Sequence, residues 1–219
     1  MNIPGGFFVT FEGIEGCGKS TQAGLLADYL KAKGLEVVLT HEPGGTAIGS
    51  RIRAILLDPE IRGITGLTEL MLFSADRAQH MAEVIEPALK EGGVVICDRF
   101  SDATEAYQGY ARGLDLEVIS RLSGTATGGR RPNLTLLLDL PVETGLRRAI
   151  RRNKVGNAGA EARFEDEAAR FHEKVRRGYL EIARREPVRV RVIDASGTVE
   201  KVHLAIKAAV DAAMAGTGG

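Results

Sequence analysis

The sequence predicts an α/β fold in which a five-stranded parallel sheet carries helices on both faces. Three observations predict it. Short β-rich runs alternate with segments of helical period, which is the order that a parallel sheet requires. The run 94–97 is continuously apolar, as is typical of a parallel strand buried on both faces. The length of 219 residues suits one domain, 1–219, with a small insertion.

The individual elements follow from local patterns. Strands are predicted where β-rich runs are bounded by turn residues, at 7–11, 35–40, 94–97, 133–140 and 188–193. Helical periods predict a first helix that begins near Gly18 and further helices around 48–56, at 68–90, around 116–122, at 142–152 and at 202–214. A short helix is also predicted within 104–110, and it is expected to end at Gly109. The helix around 48–56 is expected to bury Ile48, Ile52, Ile55 and Leu56.

The helix at 68–90 is the longest. Its core face is predicted to contain Leu67, Leu70, Met71, Ser74, Ala78, Met81, Ala82 and Ile85, and Pro87 is expected to end or kink it. Phe73 and Arg77 lie four residues apart on a face rotated away from that stripe. A ring and a guanidinium placed there can stack on a base and bind its edge. The alternative is a peripheral core phenylalanine beside a solvated arginine.

A glycine-rich loop directly follows the first strand. It consists of Gly13, Ile14, Glu15, Gly16, Cys17, Gly18, Lys19, Ser20 and Thr21. This is the phosphate-binding pattern of two glycines separated by four residues and followed by Lys and Ser/Thr. Glycines allow backbone N–H groups to turn inward, Lys19 supplies a cation, and Ser20 offers a hydroxyl to Mg²⁺. A chance match is the alternative in a chain with 27 glycines, but the flanking strand and helix favour a triphosphate site.

The composition points to a small-molecule partner. The chain has 29 basic and 29 acidic residues, so no net field draws it to nucleic acid or to a membrane surface. Its two cysteines, Cys17 and Cys97, form no metal-type pair, and no apolar run approaches membrane-spanning length. The first residues show no leader pattern. We therefore expect a cytoplasmic protein without structural disulfides.

Charged residues follow two of the predicted strands, at the carboxyl edge where open α/β sheets bind ligands. Glu42 follows the second strand, and Asp98 and Arg99 follow the third. A carboxylate there can order Mg²⁺ or its waters, and a guanidinium can hold a phosphate. Arg53 is expected near the same loop. The alternatives are a solvated acid at Glu42 and a structural Asp–Arg pair, although charges that end a buried strand need partners.

A basic tract precedes the last predicted strand. Arg147, Arg148, Arg151, Arg152 and Lys154 run into a flexible segment, 155–160. A basic helix interrupted by such a loop is typical of a lid over transferring phosphates, which we place at approximately 148–165. A solvated surface helix is one alternative, because acids interleave with the bases beyond 163. A nucleic-acid patch is another, but it should show an uncompensated basic excess.

With these segments placed, the chain resembles the bacterial thymidylate kinases over nearly its whole length. The resemblance rests on the order of 11–13 (FEG) before the loop, 42–46 (EPGGT), Phe73 with 75–80 (ADRAQH), Asp98-Arg99, and 106–109 (AYQG). It implies one P-loop nucleoside monophosphate kinase domain that phosphorylates dTMP to dTDP by in-line transfer, with ATP and Mg²⁺. It also implies a homodimer, for which helix 68–90 is a candidate interface.

The resemblance further implies roles for single residues. For the base, Phe73 would stack on thymine, Arg77 would bind the base edge, and Thr104 and Gln108 would lie near it. For the sugar and the acceptor phosphate, Tyr107 would pack on the deoxyribose, Glu15 would meet the 3′-hydroxyl, and Arg53 and Arg99 would hold the phosphate. On the donor side, Ser20, Asp98 and Glu42 would serve Mg²⁺ and its waters, and Ala195 and Ser196 would lie near the adenine. Lys19, Asp98 and Arg99 would be catalytic. Family members that lack an arginine at the position of Gly16 carry it in the lid, so Arg151, Arg152 and Arg163 compete for that role.

The chemistry can also be argued without the resemblance. A nucleoside monophosphate has a second pKa of ~6, so its acceptor oxygen needs little help from a general base. Positioning and charge then provide the catalysis. Two alternatives remain at this point. Another P-loop nucleoside monophosphate kinase would differ at Phe73, Arg77 and Tyr107, and a nucleotide-dependent ATPase switch would hydrolyse ATP without an acceptor.

Overall fold

A parallel sheet of five strands forms the centre of the molecule, as predicted. The computed structural model describes residues 3–155, 164 and 167–216, except for the side chains of 152–155. The strands are β1 (Phe7–Glu12), β2 (Val37–His41), β3 (Val94–Asp98), β4 (Leu134–Asp139) and β5 (Val190–Asp194), and their order in the sheet is β2-β3-β1-β4-β5. The central strand β1 pairs in parallel with β3 on one side and β4 on the other. These three strands are almost completely buried, which explains their continuous apolar runs.

Helices connect the strands and cover the sheet. They are α1 (Lys19–Ala32), α2 (Ala47–Leu57), α3 (Gly66–His80), α4 (Glu86–Lys90), α5 (Ser101–Thr104), α6 (Leu116–Thr127), α7 (Val142–Val155), α8 (Ala169–Arg185) and α9 (Val199–Ala215). A π-helical segment, Met81–Ile85, joins α3 to α4, and another, Glu105–Ala111, continues α5. None of the helices within the described ranges is long and apolar enough to cross a membrane.

Alternation along β1 divides the core between the two faces of the sheet. Phe7, Val9 and Phe11 belong to one large apolar cluster, whereas Phe8 belongs to a second one with residues of Met81–Ile85. Successive side chains of a strand point to opposite faces, so helices on both faces are needed to bury them.

The predicted core face of helix 68–90 is wrong for several residues. Leu67 and Met71 are 48% and 53% exposed, and Ala78 and Ala82 are exposed as well. The buried face of α3 instead carries polar side chains, which are Glu69, Asp76, Arg77 and His80. Apolar periodicity indicated the wrong face because charged groups can be buried where partners satisfy them. Pro87 does not end the helical segment but lies in the first turn of α4, where its missing N–H is tolerated, directly after the π-helical segment Met81–Ile85.

Smaller corrections concern helix ends and exposed apolar residues. The helix containing Gly109 continues to Ala111, and a Cβ at position 109 would lie 2.5 Å from Leu116 Cδ2, so this glycine permits close packing of α6. In α2, Leu56 is buried, but Ile48 and Ile55 are exposed. The last strand begins at Val190 rather than 188, and α7 extends to Val155. The predicted lid begins within α7, and its residues 156–163, 165 and 166 lie outside the described residues.

Candidate functional site

A cavity of about 670 Å³ opens at the carboxyl edge of β1, β2 and β3. Every predicted substrate-binding residue lines it: Glu15, Glu42, Arg53, Phe73, Arg77, Arg99, Thr104, Tyr107 and Gln108. Lys19, Ser20 and Asp98 line it as well. Because parallel strands end at the same edge, the segments that follow them converge there.

The glycine-rich loop forms one end of the cavity. Gly13, Gly16 and Gly18 have φ values of 135°, 70° and 98°, a region that favours glycine. Gly18 directly precedes α1, so the free N–H groups of the first helical turn belong to this loop. The ammonium of Lys19 donates to the carbonyls of Gly13 and Ile14 at 3.0 and 2.9 Å. The loop thus combines backbone N–H groups with a cation, as phosphate binding requires.

The loop packs directly on the start of α7. A Cβ at Gly16 would lie 2.1 Å from the carbonyl oxygen of Gly145, and a Cβ at Gly145 would lie 2.5 Å from the carbonyl oxygen of Glu15. Each glycine therefore permits the close approach of the other backbone. An arginine at position 16 would require α7 to move.

Glu15 reaches from the loop into a cluster of hydrogen-bond donors. Its Oε1 accepts from Arg99 Nη2 at 3.0 Å and from the Tyr107 hydroxyl at 2.5 Å, and its Oε2 lies 3.1 Å from His172 Nδ1. Burial alone would raise the pKa of Glu15. The hydrogen bond from His172 and the charges of Arg99 and Lys19 outweigh burial and lower that pKa to about 2. Glu15 is therefore an ionised acceptor at neutral pH.

Arg99 has an unusual backbone conformation. Its φ of 74° lies in the left-handed region, which costs an L-residue roughly 1–2 kcal/mol. Its guanidinium donates to the Gly13 carbonyl at 3.2 Å and to the Tyr179 hydroxyl at 3.1 Å, and it lies 5.0 Å from the centroid of the Tyr107 ring. The strained backbone thus places a well-held cation beside the phosphate loop.

Ser20 and Asp98 place two oxygen-bearing side chains together in the wall of the cavity. The hydroxyl of Ser20 donates to Asp98 Oδ2 at 2.5 Å. A hydroxyl and a carboxylate at this distance offer the hard oxygen ligands that Mg²⁺ prefers. Glu42, the third residue predicted to serve the metal, is already bonded through both carboxylate oxygens, to Arg77 and to His80.

Arg77 lines the cavity but is buried, contrary to the expectation that it lies off the core side. It is 1% exposed, and its Nε donates to Glu42 Oε2 at 2.8 Å. Its Nη2 donates to the Phe100 carbonyl at 3.1 Å and to the Thr104 hydroxyl at 3.0 Å. Its Nη1 has no partner among the residues that the structure describes. A buried donor without a partner is costly, so Nη1 is suited to an acceptor on a ligand.

Gln108 is another residue in the wall of the cavity. Its Nε2 donates to Glu69 Oε1 at 2.7 Å. Arg112 also contacts this carboxylate, with Nε and Nη2 at 3.3 and 3.4 Å from the two oxygens. The buried carboxylate of Glu69 is therefore satisfied by donors from two neighbouring positions of the helix.

The aromatic rings of Phe73, Tyr107 and Phe164 also line the cavity. Phe73 lies 6.2 Å from Phe164, and Phe164 lies 5.7 Å from Tyr107 in an edge-on arrangement. Phe164 is buried although it falls in the predicted lid. Sequence reasoning missed both Phe164 and His172. An aromatic residue within a strongly charged tract was a usable signal for Phe164, whereas a single histidine on a helical face offered none.

The remaining predicted residues are placed as follows. Arg53 Nη1 donates to the Pro43 carbonyl at 2.8 Å. Ala195 and Ser196 follow β5, away from the cavity lining, and the Ala195 carbonyl accepts from Arg148 of α7 at 3.4 Å. Arg151 is exposed on α7 and does not line the cavity. The side chain of Arg152 and the whole of Arg163 lie outside the described part of the chain.

Comparisons with known proteins agree with this geometry. A family model described as Thymidylate kinase matches residues 11–206. The chain is 57% identical over 206 residues to a thymidylate kinase of Desulfovibrio desulfuricans, covering 94% of this chain and 95% of the relative. It is 56% identical over 196 residues to that of Desulfosudis oleivorans, covering 89% and 92%. The crystal structure of thymidylate kinase from Ehrlichia chaffeensis matches with a TM-score of 0.77 and 35% identity, over 95% of this chain and 100% of that one.

Proposed function

This chain belongs to the thymidylate kinase family and phosphorylates dTMP to dTDP with ATP as donor, and we propose that dTMP binds in the cavity at the carboxyl edge of the sheet. One observation carries the proposal. Residues of the phosphate loop and the proposed base-binding groups line one and the same cavity, so an acceptor nucleotide bound in it would meet the donor phosphates. The comparisons give no support to another nucleoside monophosphate kinase or to an ATPase switch.

The base is proposed to lie between the aromatic rings and the polar wall. Phe73 stacks on the thymine ring, with Phe164 beside it, and the unpaired Nη1 of Arg77 donates to the 4-carbonyl of the base. Gln108 faces the neighbouring ring nitrogen, and Thr104 holds Arg77 through its hydroxyl. The burial of Arg77 supports this arrangement, because its unpaired donor needs an acceptor from the ligand.

The sugar and acceptor phosphate are proposed to lie closer to the loop. Glu15 accepts a hydrogen bond from the 3′-hydroxyl, and Tyr107 packs against the deoxyribose. Arg53 and Arg99 hold the acceptor phosphate. The low pKa of Glu15 supports its role, since an ionised carboxylate is the stronger acceptor for a hydroxyl.

The donor triphosphate is proposed to bind the loop 13–21, with Lys19 on its phosphates and with Ala195 and Ser196 on the adenine side. Ser20 and Asp98 hold Mg²⁺, which would supply positive charge to the phosphates when bound. Glu42 remains a prediction for ordering its waters. Lys19, Asp98 and Arg99 align and neutralise the reacting groups. A lid at about 148–165 supplies the further catalytic arginine, from among Arg151, Arg152 and Arg163.

A homodimer in the cytoplasm completes the proposal. The exposed residues Leu67, Met71 and Ala78 of α3 and Ala82 of the following π-helical segment recur at helical spacing, which supports this face as the dimer interface. Both cysteines are buried and free, which suits a reducing compartment.

Steady-state kinetics of Arg53→Ala and Phe73→Ala test the placement of dTMP. ADP release is measured with dTMP and with the other nucleoside monophosphates at equal concentrations. We expect the KM for dTMP to rise at least about tenfold in each variant, because each loses a contact with phosphate or base. The control is Arg121→Ala, which changes an exposed arginine of α6. An unchanged KM in both site variants would refute the placement, and preference for a purine monophosphate would refute the assigned base site.

A further inference from the structure

We propose that Glu69 is a specificity-determining residue that acts through Gln108: it holds the side-chain amide of Gln108 in the orientation that accepts thymine and rejects cytosine. The inference rests on the proposed placement of the base in the cavity. It adds the residue that decides whether Gln108 accepts a hydrogen bond from the base or donates one to it.

Glu69 and Gln108 form a buried hydrogen bond. Glu69 is 0% exposed and Gln108 is 1% exposed, and Nε2 of Gln108 lies 2.7 Å from Glu69 Oε1. An ionised carboxylate only accepts hydrogen bonds, whereas an amide has one donating and one accepting end. Rotating the amide by half a turn would bring two acceptors together at this distance. Glu69 therefore keeps the nitrogen of Gln108 on its own side and leaves the carbonyl oxygen for the cavity.

Arg112 is a second donor to the Glu69 carboxylate. Arg112 contacts both carboxylate oxygens, and burial alone would lower the pKa of Arg112, but Glu69 and Glu167 outweigh it and raise that pKa. A guanidinium has only donors, so the Glu69 oxygens accept from Arg112 as they accept from Gln108.

Thymine and cytosine differ in the hydrogen-bonding groups on the edge that Arg77 and Gln108 are proposed to contact. Thymine presents a 4-carbonyl acceptor next to an N3–H donor, whereas cytosine presents a 4-amino donor next to an N3 acceptor. Arg77 Nη1 can only donate, so it matches the thymine carbonyl. The carbonyl of Gln108 matches the thymine N3–H. A free glutamine could turn its amide to serve cytosine N3, and Glu69 prevents that rotation.

The experiment compares Glu69→Gln with the wild type. Glutamine is close in shape to glutamate, but its amide can either accept or donate, so Gln108 can turn either way. Relative activity is the ratio of kcat/KM for dTMP to that for dCMP, and dCMP is also measured as a competitive inhibitor of dTMP. We expect both measures of preference to fall at least about tenfold in the variant. The matched control is Glu117→Gln, an exposed helical glutamate that pairs with Arg121 at 3.7 Å, and it should leave the ratio unchanged.

A second variant guards against misfolding. Glu69→Asp keeps the negative charge but withdraws it by one methylene from Gln108 and from Arg112, and it should lower the ratio in the same direction. If folded variants slow both substrates equally and leave the ratio within twofold of the wild type, Glu69 is only a structural partner of Arg112 and the inference is overturned. Gln108→Met tests the placement of the base independently of Glu69. If it leaves the KM for dTMP unchanged, the base does not lie beside Gln108 and the proposed placement fails as well.

Discussion

Replacing Gly16 with alanine would place a methyl group against the backbone at the start of α7. The new Cβ would lie 2.1 Å from the carbonyl oxygen of Gly145 and 3.2 Å from the nitrogen of Ala149. Neither contact can be relieved by a side-chain rotation, so the loop or the helix must move. Overpacking of this kind costs roughly 1–3 kcal/mol, and a φ of 70° costs a residue with a Cβ roughly 1–2 kcal/mol more. We expect a total loss of roughly 2–5 kcal/mol in the free energy of unfolding.

Urea unfolding of the protein without nucleotide measures this loss. The matched control is Gly34→Ala, because Gly34 has a similar φ of 79° but a Cβ there would meet nothing within 4 Å. The control reports the backbone strain alone, so Gly16→Ala should cost at least about 1 kcal/mol more. Equal losses in the two variants would refute the reasoning, since α7 would then not rest against the phosphate loop.

The other predictions concern the site, the pH dependence of stability and the assembly. Arg99→Ala should lower kcat about 10³-fold at saturating substrate, because it removes a cation from the phosphates; a near wild-type kcat would contradict its assignment. Burial raises the pKa of Glu12 from its ordinary value of 4.5 to about 8. Between pH 4.5 and about 8 the folded protein therefore binds a proton that the unfolded chain does not, and the free energy of unfolding falls as the pH rises through this range. Glu12→Gln should flatten that slope in urea unfolding at a series of pH values, and an unaltered slope would assign it to other groups. Phe164→Ala should raise the KM for dTMP about three- to tenfold with a smaller change in kcat, and equal KM values would remove this ring from the base site. Met71→Asp should convert a dimer to a monomer in light scattering, whereas a monomeric wild type would rule out the proposed interface.

Some parts of the site could be predicted because the responsible signals are close together in the chain. The loop 13–21 is one continuous motif, and Glu42, Asp98 and Arg99 each directly follow an apolar run that ends at the same edge of the sheet. The proposed roles of Phe73 and Arg77 depended on the family resemblance, and the reason why Arg77 can be buried became clear only from its bonds to Glu42 and Thr104.

Local patterns along the chain were sufficient to predict the parallel sheet, most of its connecting helices and the glycine-rich loop, because strand alternation, helical period and glycine spacing are short-range properties. They did not predict α8 as a helix of its own. They were not sufficient for the buried face of α3. A periodicity of apolar residues cannot anticipate that Glu69 will be satisfied by Gln108, which is 39 residues away, or Glu15 by His172, which is 157 residues away. A buried charge is stable only beside its partner, and the packing of separate helices on the sheet brings those partners together.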